Sequence, residues 1–168
     1  NIVDTPGHAD SGGEVERVLP MVACVLLLVD AVDGTMPQTR FVTQNAFQHG
    51  LSPIVVINKI DRPGSRPDWV MDQVFDLFDS LGATDEQLDF PVMYTSAING
   101  IAGPSPDNMS ENMDPLFEAL VEHVKAPDVD LEGPLQMQIS ALDYSSYVGV
   151  IGVGRIKRGS MKVGQQVK

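Results

Sequence analysis

A group of polar residues near the start of the sequence has the composition of a phosphate and metal site. Asp4 follows the apolar pair Ile2 and Val3, and Gly7 and His8 come soon after it. A carboxylate can hold Mg²⁺, usually through water, because hard cations prefer oxygen ligands. Glycine lets the backbone approach a phosphate and direct its N–H at the terminal oxygens, and His8 could orient an attacking water. Taken alone, these residues also fit an ordinary turn after a strand.

A second group has the chemistry to recognise a purine base. Asn58, Lys59 and Asp61 follow a β-branched apolar run. The two oxygens of the Asp61 carboxylate match the adjacent ring N–H and exocyclic amine of guanine, both of which adenine lacks, so a site built for that pairing rejects the wrong base. Asn58 could bond the other edge of the purine, and Lys59 could lay its methylene stem on the base or ribose. The alternative is a turn at the end of a strand, where Asn and Asp are common.

A third, weaker group consists of Ser96 and Ala97, which follow the run at residues 91–94. A tight turn there could direct the backbone N–H of Ala97 at a carbonyl oxygen of the base. By itself the pair is more typical of a plain loop. The three groups together are informative because each follows a predicted strand.

The segments that must position these groups read as alternating strands and helices. Apolar runs at residues 25–29, 53–57 and 91–94 predict strands, and their lack of polar alternation indicates a parallel sheet covered on both faces. Helical patterns occupy residues 38–49, 68–81 and 115–124, the first two followed directly by Gly50 and Gly82. We interpret Trp69, Phe75 and Phe78 as core residues of the second helix.

Such alternation predicts a doubly wound α/β fold, in which polar residues after successive strands emerge at one edge of the sheet. Ligands bind at that edge in folds of this type. The residues concerned are Asp4, Asp30, Asn58 and Ser96. Asp30 and its neighbour Asp33 belong to no motif that the sequence identifies.

The charge distribution predicts a domain boundary. Residues 68–132 carry 15 acidic side chains and 1 basic one, whereas residues 133–168 carry 1 acidic and 5 basic. The change of sign falls in a segment rich in proline and acidic residues, which is typical of a linker. We therefore predict a first domain at 1–126, a linker at 127–134 and a second domain at 135–168. The basic end of the chain could approach phosphate, or it could be a solvated strand face.

The composition excludes several classes of protein. With 43% hydrophobic and 20% charged residues, the 168-residue chain has the balance of a folded soluble protein. The single cysteine, Cys24, excludes a disulfide framework, and no Cys/His cluster has zinc-ligand spacing. The longest apolar run, at residues 18–29, is too short to span a bilayer, and no signal peptide is recognisable, so a cytoplasmic location is expected. Because the opening residues 1–3 are already strand-like and lack an initiator Met, we expect a piece of a longer chain.

The three polar groups resemble the third, fourth and fifth motifs of translational GTPases. Other stretches are similar to the TypA/BipA family in particular, and they lie at residues 34–40, 61–67, 74–78 and 83–91. Residues 149–159 resemble the start of the second-domain β-barrel of such factors. The resemblance covers essentially the whole sequence. It implies a partial P-loop-GTPase-like, doubly wound, mostly parallel sheet, followed by the start of a β-barrel.

The resemblance also implies a function. The expected protein hydrolyses GTP to GDP and phosphate and acts on the ribosome in 50S subunit assembly and in growth under stress. Asp4 and Gly7 would serve Mg²⁺ and the γ-phosphate, and His8 the hydrolytic water. Asn58, Lys59 and Asp61 would bind guanine, with Ser96 and Ala97 completing the pocket. The expected partners are GTP or GDP, the ribosome and ribosomal RNA, with no membrane and no DNA, and a monomer is expected.

Two departures from the family pattern limit these expectations. No Gly-x-x-x-x-Gly-Lys-Ser/Thr motif occurs, so the phosphate loop, which the family carries upstream together with the first switch, is expected to lie before Asn1. In the second switch, Ser11, Pro20 and Ala23 replace the residues usual in the family. Because proline removes a backbone bond and costs a helix interior about 3 kcal/mol, we predict that the helix ends or kinks before Pro20.

Two other functions stay open at this stage. The chain could bind guanine nucleotide or ribosomal RNA without turnover, which the absent phosphate-loop motif favours for these 168 residues. It could also belong to another translational factor, such as an elongation factor G-like protein.

Overall fold

The computed structural model describes residues 2–5, 12–126 and 128–167. The chain forms two compact units, Asn1–Lys125 and Ala126–Lys168, and each is described by itself. Among the described residues, every helix is too short or too polar to cross a membrane.

The first unit is built on a four-stranded sheet of order β1-β2-β3-β4. The strands are β1 (Val25–Asp30), β2 (Pro53–Asn58), β3 (Val92–Ser96) and β4 (Ile101–Gly103). β1, β2 and β3 run parallel, as the unbroken apolar runs predict, and β4 is antiparallel to β3. The predicted α/β fold with a mostly parallel sheet is confirmed. β4 was missed, because three residues that include glycine give no strand pattern.

Five helices accompany the sheet in the described part of the first unit. They are α1 (Gly12–Val18), α2 (Pro37–Gln48), α3 (Pro67–Ser80), α4 (Asp85–Leu88) and α5 (Asp114–His123). α2, α3 and α5 carry proline in the first turn, where its missing N–H leaves no helical bond unmade. These three helices begin and end within one residue of their predicted bounds.

The main core lies between the sheet and α3. Val55 and Ile57 of β2 are buried, as are Val74 and Phe78 of α3. The Phe78 ring packs edge-on against Phe47, with ring centroids 5.0 Å apart. The prediction of a core position is therefore right for Phe78.

That prediction is wrong for the other two aromatic residues of α3. Phe75 is 45% exposed and Trp69 is 37% exposed. Both lie on the flank of the buried stripe, and Trp69 is covered instead by the Arg66 guanidinium, 3.7 Å from its ring centroid. Periodicity places a residue near a face, but it cannot show where the face ends.

A second, smaller core joins α1 to α2 through Val15, Leu19 and Ala46. α1 ends at Val18, and residues Leu19–Met21 form a 3₁₀ turn that contains Pro20 near its start. The predicted interruption before Pro20 is confirmed, because proline is tolerated in the first turn of a new element but not inside a helix.

The start of the chain differs from expectation. Residues 2–5 form no strand, and Ile2 is 83% exposed. Two apolar residues form too short a run to specify a strand by themselves. The predicted strand before Asp4 is therefore absent from the described residues.

The second unit contains an antiparallel pair, β5 (Gln136–Ser145) and β6 (Gly149–Arg158). The register of this pair shifts between Gln136 and Met137 and again between Ile139 and Ala141, so the ladder is irregular at both places. Ahead of β5, the backbone of Asp130 forms an isolated parallel β-bridge with that of Arg158. The Arg158 guanidinium donates to the Pro134 carbonyl at 3.2 Å. The pair forms the barrel-like start that the sequence predicts. The predicted domain and linker bounds stay a prediction.

Candidate functional site

The carboxyl ends of the three parallel strands bring the predicted base-binding residues together. Asp30 at the end of β1 lies opposite Asn58 at the end of β2, and Asn58 lies opposite Thr95 of β3. The loops that leave these strands carry Lys59, Asp61, Ser96 and Ala97. We refer to Asn58, Lys59, Asp61, Ser96 and Ala97 as the strand-end cluster.

The Asn58 side chain ties the β2 end to the loop after β3. Its Oδ1 accepts the Thr95 hydroxyl at 3.0 Å and the backbone N–H of Ala97 at 3.1 Å. Thr95 is buried, so these bonds fix the amide plane of Asn58. Within the described residues, the side-chain amide nitrogen of Asn58 is the group left to donate to a ligand.

The Ala97 N–H has a partner within the chain, because it donates to Asn58. Its predicted contact with a carbonyl oxygen of a base stays a prediction. The Asn58 oxygen lies on the neighbouring strand and is held by Thr95, so it provides an acceptor within the chain. Ala97 nevertheless lies exposed beside the amide of Asn58.

The Asp61 carboxylate is oriented by the fully buried Ser96. The Ser96 hydroxyl donates to Asp61 Oδ1 at 2.5 Å, which is the short distance typical of a hydrogen bond to a charged oxygen. Asn99 in turn donates from its side-chain amide to Ser96 Oγ at 2.9 Å. The carboxylate is itself exposed, so it is held in one orientation while it faces solvent.

Lys59 adopts a backbone conformation that is unusual for its residue type. Its φ is +66°, and among the described residues other than glycine it is alone in having a positive φ. Such a conformation costs about 1–3 kcal/mol and occurs where the surrounding structure determines it. The Lys59 ammonium lies 2.6 Å from Asp30 Oδ2, and Arg62 Nη1 lies 3.5 Å from the same oxygen.

The charge on Asp30 is stabilised from several sides. Burial raises the pKa of its carboxyl, but the Lys59 ammonium and the backbone N–H groups of Val32 and Asp33 outweigh that effect, so the pKa lies below its ordinary value. The two backbone donors reach Oδ1 at 2.8 and 3.3 Å. Asp30 is therefore ionised at neutral pH, as a partner of two cations.

Residues 1–126 match the family described as the elongation factor Tu GTP binding domain. The chain belongs to this family.

Two close relatives of this GTP-binding-domain chain share a name. It is 74% identical over 167 residues to the large ribosomal subunit assembly factor BipA of Salmonella typhimurium, and 72% identical over 167 residues to the protein of the same name from Haemophilus influenzae. Each alignment covers 99% of this chain but 28% and 27% of the two relatives, so the chain spans little more than a quarter of their length. The predicted resemblance to the TypA/BipA family is confirmed.

A solved structure supports the fold of this family member. Translation elongation factor SelB from Methanococcus maripaludis, crystallised in complex with the GTP analogue GppNHp, superimposes with a TM-score of 0.73. The match is 23% identical and covers 97% of this chain and 34% of the SelB chain.

Of the residues predicted for the phosphates in this GTP-binding domain, the structure describes Asp4. Asp4 is exposed, and among the described residues it forms no hydrogen bond or ion pair. Gly7 and His8 lie outside the described residues, as does Ser11. The structure therefore brings together the residues predicted for the base and leaves those predicted for the phosphates as predictions.

The sequence predicts no role for three residues that shape the cluster: Asp30, Thr95 and Asn99. Asp30 was placed at the correct edge of the sheet, but its partner Lys59 follows a different strand. Thr95 and Asn99 act through side chains that reach Asn58 and Ser96. The position of Asp30 at the end of a parallel strand was the one available signal.

A groove in the first unit lies away from the strand-end cluster. Its lining includes Phe90, Val92, Glu118 and His123, at the opposite end of β3 from Ser96. With a rise of about 3.3 Å per residue, the two ends of this strand are about 13 Å apart. The strand-end cluster does not line this groove.

Proposed function

We propose that this chain is the guanine-recognising part of a translational GTPase that hydrolyses GTP to GDP and phosphate and acts in assembly of the large ribosomal subunit. The observation that carries the proposal is the short bond from Ser96 to Asp61. It fixes a charged carboxylate at the edge of the sheet where folds of this type bind their ligands.

The oriented carboxylate supports guanine rather than adenine as the base. Asp61 is acceptor-only when ionised, and guanine presents two adjacent donors. Adenine has neither donor in that place, so its binding would leave carboxylate oxygens without partners. The amide nitrogen of Asn58 is available to an acceptor on the other edge of the purine.

The phosphate chemistry is assigned by residue type and family membership. We place Asp4 and Gly7 at the Mg²⁺ and the γ-phosphate and His8 beside the attacking water. No group of three or more metal-ligating side chains comes together in the described part of the chain. A single carboxylate such as Asp4 fits Mg²⁺ in such enzymes, because the ion uses one or two carboxylates plus substrate phosphates and water. Bound Mg²⁺ would neutralise charge on the phosphates.

The ribosomal role is drawn from the relatives that share the sequence. Two of them are named as large ribosomal subunit assembly factors. β6 and the residues after it carry the basic side chains Arg155, Lys157, Arg158 and Lys162, which suit contact with ribosomal RNA. We accordingly place the protein in the cytoplasm, as a monomer acting on the ribosome, with growth under stress as the physiological setting.

An exchange of base preference tests the guanine assignment. Asp61→Asn replaces one carboxylate oxygen with an amide donor, which matches the 2-oxo group of xanthine instead of the guanine amine. We expect calorimetric titration of the chain to show binding of GDP over xanthosine diphosphate in the wild type. We expect the preference to reverse in the variant, with the GDP affinity lowered by about 100-fold or more.

Asp72→Asn is the matched control, because Asp72 lies exposed on α3 and loses the same charge. Its preference for GDP should equal that of the wild type. Equal binding of adenosine and guanosine diphosphates by the wild type would refute the guanine assignment, as would an Asp61→Asn variant with unchanged preference.

A further inference from the structure

Asp30 is a nearly buried carboxylate to which neither the family motifs nor the proposed function gives a role. Its side chain is 14% exposed, and all its partners come from the two loops beside it. Oδ1 accepts the backbone N–H groups of Val32 and Asp33, which close the turn after β1. Oδ2 faces the ammonium of Lys59 and the guanidinium of Arg62. The Asp30 carboxylate thus contacts both the loop after β1 and the loop after β2.

The Lys59 end of this contact lies at the turn that sets the position of Asp61. The chain leaves β2 at Asn58 and reaches Asp61 by way of the left-handed backbone of Lys59. A lysine has no local reason to adopt this conformation, since its Cβ opposes it. Fixing the far end of the side chain restricts the conformations open to the residue.

Backbone contacts next to Asp30 hold the two loops together. The Ala31 N–H donates to the Asn58 carbonyl at 2.9 Å, and the Arg66 N–H donates to the Ala31 carbonyl at 2.8 Å. The Arg66 guanidinium also donates to the Val32 carbonyl at 3.1 Å. These bonds set the distance between the end of β1 and the loop after β2, which carries Lys59 and Asp61. The Asp30 carboxylate is therefore held at a fixed place relative to Lys59.

We propose that Asp30 is a positioning residue for guanine recognition, which acts by anchoring the Lys59 ammonium. The anchor holds the left-handed turn at Lys59, directs the methylene stem of Lys59 along the plane of the base, and keeps Asp61 at the base edge. This inference rests on the proposed function, because it concerns the same base site.

The substitution Asp30→Asn tests the contact with Lys59 without removing the bonds by which Asp30 closes the turn after β1. The asparagine Oδ1 can still accept the Val32 and Asp33 N–H groups, while the negative charge that faces Lys59 is lost. We expect the dissociation constant for GDP to rise about tenfold, since a charge-assisted bond is replaced by a neutral one. Asp33→Asn is the control, because it removes an exposed carboxylate three residues away, and its dissociation constant should stay within about twofold of the wild type.

A double-mutant cycle distinguishes positioning through Lys59 from a general structural effect. Lys59→Met keeps the apolar stem and removes the ammonium, so it breaks the same contact from the other side. If Asp30 acts through Lys59, adding Asp30→Asn to Lys59→Met causes no further loss of GDP affinity. An additional loss equal to that of the single Asp30→Asn variant would overturn the proposal.

Backbone NMR of the free chain supplies a readout that needs no nucleotide. We expect Asp30→Asn to move the amide and Cα resonances of Lys59 and Asp61, and Asp33→Asn to leave them in place. Unmoved resonances, or moved resonances with unchanged GDP affinity, would overturn the positioning role while wild-type GDP binding remained intact. A wild-type chain that binds no GDP would instead overturn the proposed function, and the positioning role with it.

Discussion

At the scale of single residues, Asp61 and Asp30 show how environment gives one residue type two roles. Asp61 is exposed and has one oxygen engaged by Ser96, so its carboxylate can bind a ligand. Asp30 is nearly buried against Lys59 and Arg62, so its charge is used within the chain. Sequence reasoning found Asp61 from its spacing to Asn58. It could not assign Asp30, because the Lys59 contact spans 29 positions of sequence.

The ion pair at Asp30 predicts a specific acid sensitivity. The pKa of this carboxyl is lower in the folded chain than its ordinary value near 3.9, so its contribution to stability is complete above that value and is lost as the pH falls below about 4. Asp30→Asn has no carboxyl to protonate at this position. We expect the free energy of unfolding, measured by urea titration, to fall more steeply between pH 5 and 3 in the wild type than in this variant.

Comparison of the two pH profiles isolates the Asp30 contribution, because all other carboxylates are shared. Parallel profiles for the wild type and Asp30→Asn would contradict the stabilising ion pair.

At the scale of secondary-structure elements, the helix bounds were predicted by proline and glycine, because each of these residues restricts or frees the backbone in a way that does not depend on tertiary contacts. Proline in the first turn and glycine after the last turn bound α2 and α3, and Pro20 ends α1 at Val18. The short helix α4 was missed, although Thr84 and Gln87 form a reciprocal cap that the sequence could have revealed. The strand predicted before Asp4 is absent from the described residues 2–5, because strand pairing depends on a partner that local sequence does not specify.

The two faces of α3 predict different costs for the same substitution. Phe78 is fully buried and packs against Phe47 and Phe90, with ring centroids 5.0 and 4.8 Å away. Phe78→Ala is expected to lower the free energy of unfolding by about 3–5 kcal/mol, because it leaves a cavity between α3 and the sheet. Phe75→Ala removes an equal volume from the same helix at a position that is 45% exposed.

Urea unfolding of the two variants measures this difference directly. The loss for Phe75→Ala should be less than half of the loss for Phe78→Ala, because much of the Phe75 ring already contacts water. Equal losses would show that the exposed flank of α3 contributes to the core as much as its buried stripe does.

At the scale of the whole molecule, charge is divided between the two units. Asn1–Lys125 carries 19 acidic and 6 basic side chains, a net charge of −13, whereas Ala126–Lys168 carries 4 acidic and 5 basic, a net charge of +1. A surface of high negative charge repels RNA and free nucleotide alike outside a specific site. The proposed contact with ribosomal RNA is therefore expected of the second unit, and the proposed ligand of the strand-end cluster must be attracted through base recognition.

The absence of a phosphate-loop motif from the sequence predicts that the 168-residue chain binds guanine nucleotide without hydrolysing GTP. Charge on the transferred phosphoryl group is stabilised largely by a phosphate loop and its lysine, and the sequence contains no such motif. Lys59, the cation of the strand-end cluster, already forms an ion pair with Asp30. We expect phosphate release from GTP and Mg²⁺ to equal the rate in buffer, while calorimetry detects GDP. Turnover above that background that is abolished by His8→Ala would show instead that these residues alone assemble a hydrolytic centre.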